Sequence, residues 1–289
     1  MKYIDLHVHS NASDGTLSPS QVVSLAIEQK LSAIALTDHD TLRGVKEAKL
    51  AAVKAAVNGF YLKVISGVEI SVAYKGKDIH ILGLLLDENN TRLNDILEKA
   101  VQERNERNEK MAVNLRKAGL DITIEDLKKD AGDAVITRAH FAKYITEHGY
   151  TKNKEEAFKL YLSPKGPYYV PRNYLEPEFA ISLIHEAGGI AVLAHPLLYH
   201  YTFEEVHALV KYLVDLGLDG MEVIYSMNEK DDEENLRKLA TQYGLLITGG
   251  SDYHGSNKPQ IQIGKGRGNL AIPYELLEKI EQNKKMKAL

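Results

Sequence analysis

The sequence predicts an α/β fold, a barrel-like domain built on a covered, largely parallel sheet and interrupted by a helical insertion. Two patterns lead there. Seven short apolar runs, at residues 3–8, 33–36, 64–68, 79–85, 190–194, 220–224 and 245–248, lack polar alternation, as strands covered on both faces do. Helical stretches with start and stop signals lie between most of them, the rhythm of right-handed βα units. That rhythm breaks from about residue 90 to 170, where only helical patterns occur.

Taken in order, the first strand is followed by Ser18-Pro19, an N-cap and first-turn pair ahead of a helix over 21–30. A second helix over 41–57 stops at Asn58-Gly59. In the middle region Leu93, Ile96, Leu97, Ala100, Val101, Met111, Ala112 and Leu115 recur at helical spacing until Gly119. Shorter helices are expected over 123–129, 138–148 and 154–162, with 163–167 as a return hinge. Helices over 178–187 and 203–216 end at Gly188-Gly189 and Gly217. The expected organisation is a discontinuous barrel domain, residues 1–89 and 171–289, carrying a helical insertion over 90–170.

Composition narrows the function. The 289 residues are 44% hydrophobic with a net charge of −4, enough for a sizeable core and without the basic field that holds duplex DNA. No cysteine is present, which excludes disulfides, a Cys nucleophile and thiolate metal sites. Neither a signal-peptide core nor an apolar run of about 18 residues is found, so a cytoplasmic location and no membrane contact are expected, and no protein partner is predicted.

The chemistry lies at strand ends. His7 and His9 are two apart on one strand, and Asp38 and His39 follow the second. Glu69 follows the third, His195 the fifth, and Asp252 and His254 the seventh. In α/β barrels, carboxyl ends of strands and their loops build the site. His80 opens the fourth strand and fits that rule less well. With Asp14 in an Asn-Ala-Ser-Asp-Gly loop, nine imidazoles and carboxylates converge, a set that suits Zn, Mn or Fe. Nine ligands are too many for one ion, and too many for two unless coordination is high; three ions sharing a bridging carboxylate would fit.

The motifs His7-Val8-His9-Ser10, Thr37-Asp38-His39-Asp40, Gly67-Val68-Glu69, His195-Pro196 and Gly250-Ser251-Asp252-Tyr253-His254 resemble those of the PHP (polymerase and histidinol phosphatase) family. Their order and spacing resemble stand-alone bacterial members with a helical insertion between the fourth and fifth strands. The resemblance implies a distorted (β/α)7 barrel, with the helical insertion capping the carboxyl ends of its strands. It also implies three divalent ions. His7, His9, Glu69 and Asp252 would hold one; Glu69, His80 and His195 a second; Asp14, His39 and His254 a third. Asp38 is then read as orienting a ligand imidazole, with proton transfer as the lesser alternative. The activity implied is removal of the 3′-phosphate from 3′,5′-bisphosphonucleotides, or 5′→3′ degradation of short RNA. The competing readings are a histidinol-phosphate phosphatase, a proofreading-type nuclease module, and a metal-binding regulatory protein without turnover.

Substrate contacts must come from outside the metal cluster. Arg104 and Arg107 on the long helix, Arg138 and His140 in Ile-Thr-Arg-Ala-His, and Lys165 in the hinge are the candidates, because a guanidinium fork binds two phosphate oxygens at once. His148, His185, His200 and His207 are read as structural. Asp40 is read as a helix cap, and Glu222 as support for the fold or the site.

Overall fold

A computed structural model describes residues 2–132 and 134–287. Its seven strands are β1 (Tyr3–Val8), β2 (Leu31–Leu36), β3 (Lys63–Tyr74), β4 (Lys77–Leu84), β5 (Ile190–Leu193), β6 (Gly220–Tyr225) and β7 (Leu246–Gly250). They pair in chain order. Just past the strand ends, His9 N donates to Tyr253 O and Asp252 N to His7 O, both at 2.9 Å, so the sheet nearly closes into a barrel.

The sheet is mixed rather than parallel. β4 runs antiparallel to β3 and to β5, while the other neighbours are parallel. β3 and β4 form a hairpin through Lys75-Gly76, both with positive φ, so no crossover helix separates them. This reversal explains His80. The start of an antiparallel strand lies at the same pole as the carboxyl ends of its parallel neighbours, so a residue that breaks the strand-end rule in sequence obeys it in space.

Helices α1 (Pro19–Glu28) and α2 (Val45–Val57) cover β1 and β2, packing Val22, Val23, Ala26, Ala48 and Ala52 on Val8, Ile34 and Leu36. A full capping box starts α1, as Ser18-Pro19 predicts. α2 begins at Val45 behind Gly44, four residues later than expected, because residues 40–44 are turn and coil, with Asp40 at a positive φ.

Between β4 and β5 lie α3 (Thr91–Lys117), α4 (Ile124–Ala131), α5 (Arg138–Glu147) and α6 (Lys154–Ala157), the last running into a π-helical turn, Phe158–Leu162. Met111, Leu115, Leu127, Phe141, Ile145 and Leu162 give these helices a hydrophobic cluster of their own. α7 (Pro177–Glu186) and α8 (Phe203–Asp215) return to the sheet. Two further helices, α9 (Lys230–Gln242) and α10 (Glu275–Lys287), were not expected. α9 buries only Leu236, Leu239 and Ala240 in an otherwise polar sequence, too narrow a stripe for periodicity to reveal. No described helix is long and apolar enough to cross a membrane.

Candidate metal centre and its cleft

The nine imidazoles and carboxylates that the sequence singles out meet at one pole, around Glu69. Glu69 Oε2 lies 3.4 Å from His7 Nε2, 3.2 Å from His9 Nε2 and 3.1 Å from His39 Nδ1. Its Oε1 lies 2.7 Å from His80 Nδ1 and 2.9 Å from His195 Nε2. A single carboxylate therefore faces five imidazoles, and both its oxygens are used. Asp252 Oδ1 lies 3.5 Å from His9 Nε2 and 3.7 Å from His7 Nε2. Asp14 faces His254 Nε2 at 3.2 Å and His39 Nε2 at 3.8 Å.

Local sequence explains the placement. β1 shifts register between Asp5 and Val8: Leu6 packs inside the barrel and Val8 beneath α1, while His7 and His9 approach to 3.1 Å between Nε2 atoms. His195 and Asp252, each directly after its strand or one residue beyond, have φ of +26° and +57°. Non-glycine residues in that region store strain, which concentrates at functional sites.

The donor set fits divalent cations. Two imidazole Nε2 atoms at 3.1 Å cannot both keep a proton, and lone pairs turned toward a common point are what an ion requires. Burial, followed by the neighbouring His254, pushes His9 down to about 3, leaving it neutral as a metal ligand must be. Burial opposes the charge on Glu69, yet His80, His39 and His7 hold it well below the usual carboxylate range. His39 Nδ1 and His195 Nδ1 are buried without a hydrogen bond. Three groups have the spacing of ion sites: His9, Asp14, His39 and His254; His7, His9 and Glu69; and His39, Glu69 and His80. His9 enters two of them, where the sequence reading used it once.

Three carboxylates support these ligands from behind. Glu222, fully buried on β6, lies 3.2 and 3.3 Å from His7 Nδ1 and accepts the His195 N–H at 2.9 Å. Asp38 touches no imidazole directly, contrary to expectation. It accepts from Ser10 N (2.8 Å), Ser10 Oγ (2.7 Å) and Ser13 Oγ (2.6 Å), fastening the loop that carries Asp14. Burial pushes its carboxyl up to about 6 against those bonds. Asp5, which the sequence reading passed over, accepts from Ser251 N, Ser251 Oγ and Gly264 N and anchors the segment before Asp252.

A cleft of roughly 340 Å³ opens beside the cluster. Asp14, His39, His80 and His254 line it, and Arg104, Arg107, Arg138, Arg172, Lys154 and Lys258 supply cations. Arg104 and Arg107 sit on the buried face of α3, so they interrupt its apolar stripe for the cleft. Arg138 reaches Asp78 at 3.5 Å and lies over the Tyr169 ring. His140 does not line the cleft: its Nδ1 accepts the Thr137 N–H at 3.0 Å, completing the α5 capping box. Lys165 is exposed and outside the cleft, because the hinge turns it to solvent.

Sequence reading missed Arg172 and Lys258. Arg172 follows the hinge with no motif to mark it, although an arginine beside Pro171 at the re-entry to the barrel is a weak signal. Lys258 Nζ lies 2.6 Å from Asp252 Oδ2, which also accepts the Tyr225 hydroxyl at 2.7 Å. Asp40 is no helix cap; buried and with φ +53°, it pairs with Arg104 and Arg172.

The chain is similar to several known proteins. The PHP domain model matches residues 5–216. A 5′-3′ exoribonuclease of Haemophilus influenzae is 38% identical over 88% of this chain and 90% of its own. A 3′,5′-nucleoside bisphosphate phosphatase of Chromobacterium violaceum is 32% identical over 91% of each. A protein from Bifidobacterium adolescentis described as a metal-dependent phosphoesterase superposes with a TM-score of 0.84 at 28% identity, covering 96% of this chain and 95% of that one.

Proposed function

The chain belongs to the PHP-domain family, and from that premise we propose that this hydrolase removes the 3′-phosphate of 3′,5′-bisphosphonucleotides, degrades short 5′-phosphorylated RNA, or does both. The observation that carries the reading is the shared cleft, lined both by cation-ligating histidines and Asp14 and by four guanidiniums. A substrate with one phosphate at each end matches both sets, whereas histidinol phosphate offers the guanidiniums only an amine.

Three ions are proposed, Mn, Zn or Fe. His7, His9, Glu69 and Asp252 hold the first, Glu69, His80 and His195 the second, and Asp14, His39 and His254 the third. When bound, such ions activate water near neutral pH and neutralise phosphoryl charge. The chain's own residues do the rest. Glu222 fixes the His7 ring, Asp38 fixes the Asp14 loop, and Lys258 holds Asp252 while adding a positive charge at the rim. Arg104, Arg107, Arg138 and Arg172 receive the phosphate that is not cleaved. The helices between β4 and β5 act as the cap that carries most of these cations and limits the length of strand admitted.

The test sets metal-replete protein against 3′-phosphoadenosine 5′-phosphate, AMP, histidinol phosphate and a 5′-phosphorylated RNA pentamer, assaying phosphate and mononucleotide release together. Fast loss of the 3′-phosphate, or stepwise nucleotide release, is expected. Turnover of histidinol phosphate alone would overturn the substrate assignment.

A further inference from the structure

Asp40 stands where a barrel loop meets two segments far away in sequence. It directly follows His39, and its own N–H donates to Glu69 O at 3.0 Å. Its Oδ2 accepts from Arg104 Nη2, on α3, and forms an ion pair with Arg172 Nη2 at 3.0 Å, from the segment after the π-helical turn. Its Oδ1 faces Ser71 N at 3.4 Å. Asp40 is fully buried, and both arginines are only 6% exposed. The backbone at Asp40 has φ +53°, a conformation that costs a non-glycine residue free energy and is kept where surroundings impose it.

The charges here do not balance. Arg104, Arg107 and Arg172 line the cleft together, and Asp40 is the carboxylate that pairs with two of them. Among the described residues, the hydrogen-bonding partner of Arg107 is Met111 Sδ, 3.8 Å from its Nη1. The Nε–H groups of all three are buried without a hydrogen-bond partner. Burying guanidiniums with unmet donors is costly, so the arrangement is stable only as a cradle for something anionic. Asp40 gives it shape: one carboxylate holds the forks of two arginines side by side, and an incoming phosphate meets donors already oriented.

We infer that Asp40 is a positioning residue that sets Arg104 and Arg172 as a preassembled clamp for the non-scissile phosphate, and so determines selectivity for two-phosphate over one-phosphate substrates. This deepens the function proposed above and rests on it. The carboxylate also serves as a gate on charge. With Asp40 already satisfying part of the guanidinium set, an uncharged ribose 5′-hydroxyl gains little by entering, whereas a phosphate dianion gains the remaining donors.

The experiment compares kcat and KM for 3′-phosphoadenosine 5′-phosphate and for 3′-AMP in the metal-replete wild type, in Asp40→Asn and in Arg172→Ala, with metal content measured for each. In both variants the ratio of kcat/KM between the two substrates falls about tenfold or more, carried by KM for the bisphosphate. In Arg172→Ala, millimolar guanidinium chloride restores part of that ratio. Parallel loss on both substrates, or an unchanged ratio, overturns the inference. Should Asp40→Asn fail to fold, Asp40→Glu, which keeps the charge but shifts the two forks, is read in its place against the same ratio. A wild type that shows no preference for the second phosphate overturns the functional reading itself, and the inference with it.

Discussion

Glu222 and His7 face each other across the barrel floor, the carboxylate oxygens 3.2 and 3.3 Å from His7 Nδ1, both residues fully buried. That contact selects the tautomer with the proton on Nδ1 and leaves Nε2 free to ligate, the usual partner arrangement of a metal-bound histidine. Glu222 also accepts the His195 N–H, so it braces ligands of two proposed ions. Glu222→Gln, which can turn its amide donor toward His7, is expected to lower metal affinity about 10–100-fold. Competitive titration against a chelator checks this; wild-type affinity would remove Glu222 from the support of the site.

Asp38 bears on a different one of the proposed ions. Its three bonds to Ser10 and Ser13 hold the loop from which Asp14 reaches His254. Asp38→Ala is expected to lose the ion proposed at Asp14, His39 and His254 before the others, so that elemental analysis reads about one metal fewer per chain. A uniform drop at all sites would place Asp38 elsewhere in the scheme.

How legible was this in the sequence? All nine proposed ligands were, because each lies at the pole that strand ends define, and the histidine and carboxylate motifs mark those ends. The antiparallel turn of β4 was not, since a covered strand has the same apolar run in either direction; His80 was the clue, being misplaced for a parallel strand. Cap residues were less legible. Arg104 announced itself, with Asn108 four residues on, by breaking an apolar stripe, and Arg107 lay beside it on the same helix; but His140 proved to be a capping residue and Lys165 a solvent-facing one. A short polar motif reads alike whether it caps a helix or binds a ligand. Arg172 and the role of Asp40 were invisible, because their pairing joins segments 132 positions apart.

Stability at the opposite pole should depend on pH through Asp219. Its Oδ2 accepts His185 Nε2 at 2.8 Å and Ala191 N at 2.7 Å, and Lys287 pairs with Oδ1. Burial raises its pKa, but His185, Lys287 and the Ala191 N–H outweigh that and hold it below the ordinary carboxylate value. A depressed folded pKa stabilises the fold above the unfolded value, near 4, and the gain is lost as pH falls through the folded value. Asp219→Asn is expected to cost about 1–3 kcal/mol at neutral pH and to flatten the acid limb below pH about 4. Thermal melts from pH 3 to 7 check both; parallel acid limbs for the variant and the wild type would show that Asp219 carries none of it.

Arg107 sets substrate binding against stability. Burial, followed by Arg104 and Arg138, pushes its guanidinium down to about 10, and among the described residues no carboxylate forms an ion pair with it. A side chain kept only for the fold would be apolar at this position on α3, as Met111 is one turn later. Replacing a buried, poorly paired charge with an apolar side chain of similar volume is often stabilising by about 1–4 kcal/mol. Arg107→Met is therefore expected to raise Tm by about 2–4 °C or more while raising KM for the bisphosphonucleotide about tenfold. Stability and affinity must move in opposite directions. A variant that loses both stability and affinity would make Arg107 a packing residue, and a stabilised variant with unchanged KM would leave the phosphate to Arg104, Arg138 and Arg172.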